Sequence, residues 1–157
     1  MTIIGFDISK KELVGVRTDK SATIREKMII PNDPDSIKTF VENIKNQYPR
    51  LIVASEATAD YHRGLAELCL KYQIPFRLIN PILTKQFTRA TIRKKKTDLT
   101  DALIIAKLAL QGEGSLLNIK SLDPLKSVNR TAFKIQRIYL MLSAIYQRFN
   151  RVFPDDK

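Results

Sequence analysis

One stretch near the start of the chain decides the fold: Thr2-Ile3-Ile4-Gly5-Phe6-Asp7-Ile8. Its short length and its isoleucines predict a β-strand, and polar residues separate it from further strand-like segments at 11–18 and 22–30. Three consecutive strands predict a meander. Asp7 shares a strand face with Ile3 and Gly5, because side chains alternate between the two faces. Since an unpaired buried carboxylate costs several kcal/mol, Asp7 needs either a cation or hydrogen bonds from backbone amides.

Outward from the meander, helix-like and strand-like segments alternate. Asp33-Pro34 pairs a capping aspartate with a proline at the first helical position, and Asn80-Pro81 and Asp123-Pro124 repeat this start signal. The sequence predicts helix 34–48, strand 51–54, helix 61–72, strand 76–79, helix 81–90 and helix 97–111. This order favours an α/β fold with a mixed sheet, antiparallel on one side and parallel on the other.

The segment after Pro124 has a different pattern. Apolar residues recur at alternating steps of three and four, at Leu125, Val128, Ala132, Ile135, Tyr139, Leu142, Tyr146, Phe149 and Phe153. This pattern predicts a long basic helix of coiled-coil character, paired within a longer chain or between two copies. The alternative is a helix that lies on its own domain. Pairing is favoured because ~30 helical residues span about 45 Å, longer than one face of a domain of this size.

The chain of 157 residues has 27 Lys and Arg against 16 Asp and Glu, a net charge of +11. Residues 84–157 hold 15 basic and 6 acidic side chains, whereas residues 1–83 hold 12 and 10. This balance points to a polyanion partner, contacted mainly by the second half. The five glycines are too scattered for a phosphate-binding loop, so phosphate recognition requires basic side chains or a metal.

Several classes of protein are excluded or disfavoured. No apolar run approaches the ~18 residues that a membrane span needs, and the N-terminus lacks the basic region of a signal peptide. The single cysteine, Cys69, can form neither an intramolecular disulfide nor a cysteine-based zinc site. We therefore expect a cytoplasmic protein. His62, beside Tyr61 at a predicted helix start, is expected at the surface.

Four carboxylates stand out. Glu56 follows the fourth predicted strand, at the end where ligand sites of open α/β sheets gather. Asp98 and Asp101 are spaced i, i+3 and share a helix face, although acids in a first turn can simply offset the helix dipole. Together with Asp7 they make an oxygen-only donor set. Such donors suit Mg²⁺ or Mn²⁺, and two such ions can activate a phosphodiester for cleavage.

A basic run lies directly before Asp98. Alone it would indicate a solvated loop, but beside the acids it predicts a track for phosphates that leads to a metal site. The candidate nucleic-acid contacts are Lys10, Lys85, Arg89, Arg93, Lys94, Lys95, Lys96, Arg130, Lys134 and Arg137.

These motifs together resemble the DEDD insertion-sequence transposases, which are related to the Piv and MooV recombinases. The resemblance rests on Gly5-Phe6-Asp7-Ile8-Ser9-Lys10, Ser55-Glu56-Ala57-Thr58 and Lys96-Thr97-Asp98-Leu99-Thr100-Asp101-Ala102. The turn Ile79-Asn80-Pro81 with Lys85 and Phe87 fits as well, and so does Asn150-Arg151-Val152-Phe153-Pro154, so nearly the whole chain is covered. The chain departs from the family at Ala59-Asp60, where a glycine usually precedes the tyrosine.

The resemblance implies a fold and an activity. The fold is ribonuclease H-like and similar to the junction resolvase RuvC, with a five-stranded mixed sheet flanked by helices. Residues 1–119 form the catalytic domain, and residues 120–157 form the helical arm. Asp7, Glu56, Asp98 and Asp101 are the catalytic acids, and they bind the divalent metal, Mg²⁺ or Mn²⁺, that serves DNA strand cleavage and transfer.

The resemblance also implies partners. The family has a further C-terminal domain, which supplies a nucleophilic serine and would follow residue 157. Family members also use a guide RNA. The resemblance places the protein in the cytoplasm of a prokaryote, on the nucleoid when bound to DNA. A second copy of the chain is a further partner expected from the apolar pattern of the C-terminal helix. Two alternatives stay open: a stand-alone RuvC-like junction resolvase, and a non-catalytic module for nucleic-acid binding and dimerisation.

Overall fold

The computed structural model describes residues 1–48, 50–58, 60–90, 97–118 and 124–152, and from residue 124 onward it describes side chains over 135–149. The chain forms two compact units, Met1–Ser121 and Leu122–Lys157. Among the described residues, no helix is both long enough and apolar enough to cross a bilayer.

The described part of the chain contains six strands and five helices. The strands are β1 (Thr2–Ile8), β2 (Glu12–Thr18), β3 (Ile24–Pro31), β4 (Leu51–Glu56), β5 (Phe76–Ile79) and β6 (Ser115–Leu116). The helices are α1 (Pro34–Ile44), α2 (Arg63–Lys71), α3 (Pro81–Ala90), α4 (Asp98–Leu110) and α5 (Pro124–Val152). The predicted order of elements is thus confirmed, with one added strand.

All six strands form one mixed sheet in the order β3-β2-β1-β4-β5-β6. The meander β1, β2 and β3 is antiparallel, and β1, β4 and β5 run parallel. The prediction of five strands was wrong, because β6 pairs antiparallel with β5. The chain reverses before β6 at Gly114, whose φ of 83° suits glycine. Arg77 of β5 holds this turn by donating from Nη1 to the carbonyl oxygens of residues 112–114.

Local capping explains where the helices begin. Asp33 accepts hydrogen bonds from the backbone amides of Asp35 and Ser36, ahead of Pro34. Asn80 accepts from the amide of Ile82 at 2.9 Å, ahead of Pro81. Helix α4 has a threonine cap instead, and Thr97 accepts from the amide of Thr100 at 3.2 Å. The start signals read from the sequence are therefore physical caps in α1 and α3.

The ends of elements differ more from prediction. Helix α1 stops at Ile44 rather than at residue 48. Strand β4 continues to Glu56 instead of ending at Ala54, so Glu56 is its last residue. Its pairing with β5 explains the extension, since Glu56 lies opposite Ile79 in the parallel ladder.

The two faces of the sheet carry different helices. Phe6 of β1 meets Phe40 of α1 edge to face, with ring centroids 5.5 Å apart, and α1 packs against α2. On the opposite face, α4 lies on β1, and α3 packs beside α4. Gly5 allows this close approach: a Cβ there would lie 2.5 Å from the carbonyl oxygen of Ala102. Residues of β1 that alternate with Phe6, Asp7 among them, therefore face α4.

Helix α5, in the second unit, is 29 residues long. Its described apolar side chains are largely exposed within that unit, among them Ile135, Tyr139, Leu142, Tyr146 and Phe149. The predicted helix is therefore present, and its coiled-coil pairing stays a prediction. The side chains of the remaining seam positions, 125, 128, 132 and 153, lie outside the described residues.

The contact between Gly5 and α4 can be tested by adding one methyl group. In Gly5→Ala the new Cβ would meet backbone atoms of Ala102 and Ala106, the nearest at 2.5 and 2.6 Å. Since neither atom can rotate away, we expect the free energy of unfolding to fall by about 1–3 kcal/mol. Urea denaturation measures it.

The matched control for this variant is Gly64→Ala in α2. A Cβ at Gly64 would lie 3.7 Å from Ile37 Cδ1, which is ordinary contact. Alanine also favours the helix, so the unfolding free energy should stay level or rise by up to ~1 kcal/mol. Equal stability of the two variants would contradict the close packing of α4 on β1.

Candidate active site

Two of the predicted acids lie at the C-terminal ends of neighbouring parallel strands, Asp7 one residue before the end of β1 and Glu56 at the end of β4. Gly5 of β1 lies opposite Ala54 of β4, and Phe6 lies opposite Ser55. Asp7 and Glu56 each follow two residues after the Gly5–Ala54 pair, so both lie on the face that carries α4. Both side chains are half-buried. The register therefore places these two carboxylates next to each other at one edge of the sheet.

Helix α4 brings a third acid to this edge. Asp101 directly precedes Ala102, which packs on Gly5, and its side chain is half-buried. Asp98 is the first residue of α4, one turn earlier, and is exposed. Because Asp98 and Asp101 are three residues apart, they share one side of the helix.

Glu56 and Asp101 share one open cavity. Its volume is about 300 Å³, and its lining includes Thr84, Lys85, Thr88 and Arg89 from α3 and Ile104 from α4. Helix α3 thus forms the wall opposite the acids. Two cations and two carboxylates around one opening form a place where a phosphate could meet both a metal and basic side chains.

The Glu56 carboxylate is held by two hydroxyl groups. Thr58 donates to Oε1 and Thr84 donates to Oε2, each with an oxygen–oxygen distance of 2.6 Å. Thr84 is 8% exposed, and its Oγ1 also lies 2.9 Å from the carbonyl oxygen of Pro81. Neither threonine was among the predicted site residues, because no spacing in the sequence relates Thr84 to a carboxylate 28 positions earlier.

The donor set suits a hard divalent cation, since carboxylate oxygens are the ligands that Mg²⁺ and Mn²⁺ prefer. Among the described residues, which include all four acids, no group of three or more acidic, histidine or cysteine side chains is already arranged to hold a metal. The structure thus brings Asp7, Glu56 and Asp101 to one edge without assembling them around a common point.

The predicted phosphate contacts divide into three groups. Lys85 and Arg89 line the cavity, and Lys10 is exposed in the turn that follows β1, at the same edge of the sheet as Asp7. Arg137 is exposed on α5 in the second unit. Outside the described residues lie Arg93, Lys94, Lys95 and Lys96, as do the side chains of Arg130 and Lys134.

Two other reactive side chains lie inside the fold. His62 is 8% exposed, so its predicted surface position was wrong. It directly precedes α2, and its carbonyl oxygen accepts from the amide of Ala66. Cys69 is fully buried, and burial raises the pKa of its thiol to about 12. A thiol in this state is no nucleophile near neutral pH.

Comparison with known proteins agrees with the geometry. A family model for IS110-type DEDD proteins, described as "Transposase", matches residues 4–135. The fold is similar to that of RuvC from T. thermophilus, solved in complex with a Holliday junction substrate. The TM-score is 0.53 at 15% sequence identity, over 74% of this chain and 99% of RuvC. None of the curated proteins matches the sequence.

Proposed function

The chain belongs to the DEDD transposases of the IS110 type, and from that premise we propose that it cuts and transfers DNA strands with a divalent metal. The observation that carries this proposal is the register of β1 and β4, which sets Asp7 beside Glu56 at the edge where α4 presents Asp101. Asp98, exposed in the first turn of α4, is the proposed fourth acid.

Each part of the site has a proposed role. The carboxylates of Asp7, Glu56, Asp98 and Asp101 bind the metal and are the catalytic acids. When bound, Mg²⁺ or Mn²⁺ would polarise the scissile phosphate and lower the pKa of the water or hydroxyl group that attacks it. Lys85 and Arg89 bind the flanking phosphates and orient the strand across the cavity. Two of the proposed ligands, Glu56 and Asp101, line this cavity and are half-buried.

The proposed DNA surface extends along both sides of the cavity. Lys10 lies on the β1 side, and Lys85 and Arg89 lie on the α3 side. The basic run 93–96 precedes Asp98 in the sequence and lies outside the described residues. From its charge and its place in the sequence we assign residues 93–96 to phosphate contacts, and we also assign the basic side chains at 130, 134 and 137 of the helical arm.

Further partners follow from α5 and from the family. A second copy of this chain is the proposed partner of α5, because its exposed apolar side chains recur with the spacing of a coiled-coil seam. By the family resemblance, a guide RNA binds the complete transposase, which acts on the nucleoid in the cytoplasm of a prokaryote. The domain assignment, catalytic residues 1–119 and arm 120–157, is part of the same proposal.

Removing a carboxylate tests the catalytic proposal. In Asp7→Asn or Asp101→Asn the side chain keeps its shape and loses its charge, so the metal-dependent cleavage rate should fall by at least about 100-fold. The measurement is DNA strand cleavage by the full-length protein in the presence of Mg²⁺. DNA binding and the melting temperature should stay close to those of the unmodified protein.

The control is Asp35→Asn, an exposed acid of α1 on the opposite face of the sheet. It should cleave at the unmodified rate, and unchanged cleavage in Asp7→Asn would rule out the proposal. Junction-specific nicking by the 157-residue chain alone would favour the resolvase alternative. DNA binding without any carboxylate-dependent metal binding would favour the non-catalytic module.

Salt dependence tests the phosphate-binding role of the cavity cations. Replacing one of them, in Lys85→Ala or Arg89→Ala, should reduce the slope of log K against log salt by about 0.9, because one fewer counterion is released on binding. Replacing Lys94, Lys95 and Lys96 together should reduce it by about three times that amount. Lys20→Ala is the control, since Lys20 is exposed after β2, at the other edge of the sheet. If Lys20→Ala lowers the slope as much as the α3 variants, the assignment of the cavity face is wrong.

Sedimentation tests the pairing of α5. The chain should show a monomer–dimer equilibrium, and Tyr139→Glu with Leu142→Glu should shift it to monomer, because the two charges would enter an apolar seam. Gln147→Glu adds a charge away from the predicted seam and should leave the dimer intact. A monomer at every concentration would contradict a second copy as the partner.

A further inference from the structure

The two hydroxyls on Glu56 suggest how this ligand is oriented. Thr58 and Thr84 approach different oxygens of the same carboxylate, both at 2.6 Å. They come from opposite sides: Thr58 lies just after β4 in the same segment, whereas Thr84 belongs to α3. The carboxylate is therefore fixed between its own strand and the far wall of the cavity.

This arrangement leaves room for a cation. Each carboxylate oxygen offers two lone-pair positions, and each hydroxyl uses one of them. Counting only donors from the part of the chain that the structure describes, one position on Oε1 and one on Oε2 remain. A glutamate side chain otherwise has several rotamers, and binding a metal would cost the entropy of fixing one of them. Here the two hydroxyls already hold the side chain in one rotamer before a metal binds.

We propose that Thr58 and Thr84 are positioning residues that hold the Glu56 carboxylate in the orientation in which it binds the divalent metal. This inference rests on the proposed function, since it takes Glu56 to be a ligand. Neither threonine needs to touch the metal or the DNA. Groups that orient a ligand in this way typically change metal affinity by about 10–100-fold when they are removed.

Helix α3 provides a matched pair of variants. Thr84→Val keeps the shape of the side chain and removes the hydroxyl, whereas Thr84→Ser keeps the hydroxyl. Thr88, one turn later, lines the same cavity, but its hydroxyl donates to the carbonyl oxygen of Thr84 at 2.8 Å. Thr88→Val therefore controls for the loss of a hydroxyl from this wall that does not reach Glu56.

The experiment is calorimetric titration of the 157-residue chain with Mg²⁺ and with Mn²⁺. We expect Thr84→Val to bind each metal about 10–100-fold more weakly, and Thr84→Ser and Thr88→Val to bind it within a few-fold of the unmodified chain. The salt slope of DNA binding should not change in Thr84→Val. A general disturbance of α3 would lower that slope as well, because Lys85 and Arg89 lie on the same helix.

Thr58→Val keeps the inference testable if Thr84→Val fails to fold, since Thr58 is exposed and lies outside the helices, with its hydroxyl bonded to the Glu56 carboxylate. It should also weaken metal binding. Glu56→Gln distinguishes a failure of the proposed function from a failure of the positioning role of the threonines. If Glu56→Gln binds metal as well as the unmodified chain, the proposed function fails. If Glu56→Gln weakens binding and neither threonine-to-valine variant does, only the positioning inference is overturned.

Discussion

The site depends on the close contact between the backbone of α4 and Gly5 of β1. Without a side chain at Gly5, the carbonyl oxygen of Ala102 can approach to where a Cβ would be 2.5 Å away. Asp101 is next to Ala102 in the helix, and Asp7 is two residues beyond Gly5 in the strand. The position of the helix acid relative to the strand acids is therefore set by a backbone contact, which is stiffer than any arrangement of side chains.

A second contact fixes the opposite wall of the cavity. Thr84 ties α3 to the carboxylate at the end of β4, while α3 also packs against α4. The helix that carries Lys85 and Arg89 is thus joined to β4 and to α4, two of the three elements that carry the acids. Lys85 and Arg89 would bind a DNA strand from a helix and not from a flexible loop. The packing of α3 would therefore fix the distance between that strand and Glu56.

Local signals in the sequence were enough to predict most of the helices and strands. Helix α3 and strand β5 have the predicted bounds, because Asn80 caps the helix from within the same turn that ends the strand. Strand β6 could not be predicted in this way. It is two residues long, and the turn before it is held by Arg77, almost 40 positions earlier in the chain. The register that extended β4 to Glu56 is also a property of pairing, not of the segment itself.

The same limit applies to the site. Asp7, Glu56 and Asp101 were predicted because an acid within an apolar strand, at a strand end or at a repeated helical spacing is visible in one segment. Thr84 was missed because its contact with Glu56 joins two elements, and the burial of His62 is likewise a property of the folded chain. Hydroxyl groups give no charge signal, and a threonine in a helix is ordinary. What can be predicted from sequence is therefore which side chains carry charge, while the groups that orient them require the fold.

Charge explains why this edge should bind a cation. Asp7, Glu56 and Asp101, all half-buried, would together place three negative charges on one face, and a divalent cation would offset them. Setting the four proposed ligands aside leaves 27 basic residues against 12 acidic ones. If divalent ions neutralise those four acids, the remainder of the chain carries about +15 rather than the formal +11. The acids that moderate the charge of the sequence would then be neutralised, and the surface that faces nucleic acid would be more strongly basic than the formal count indicates.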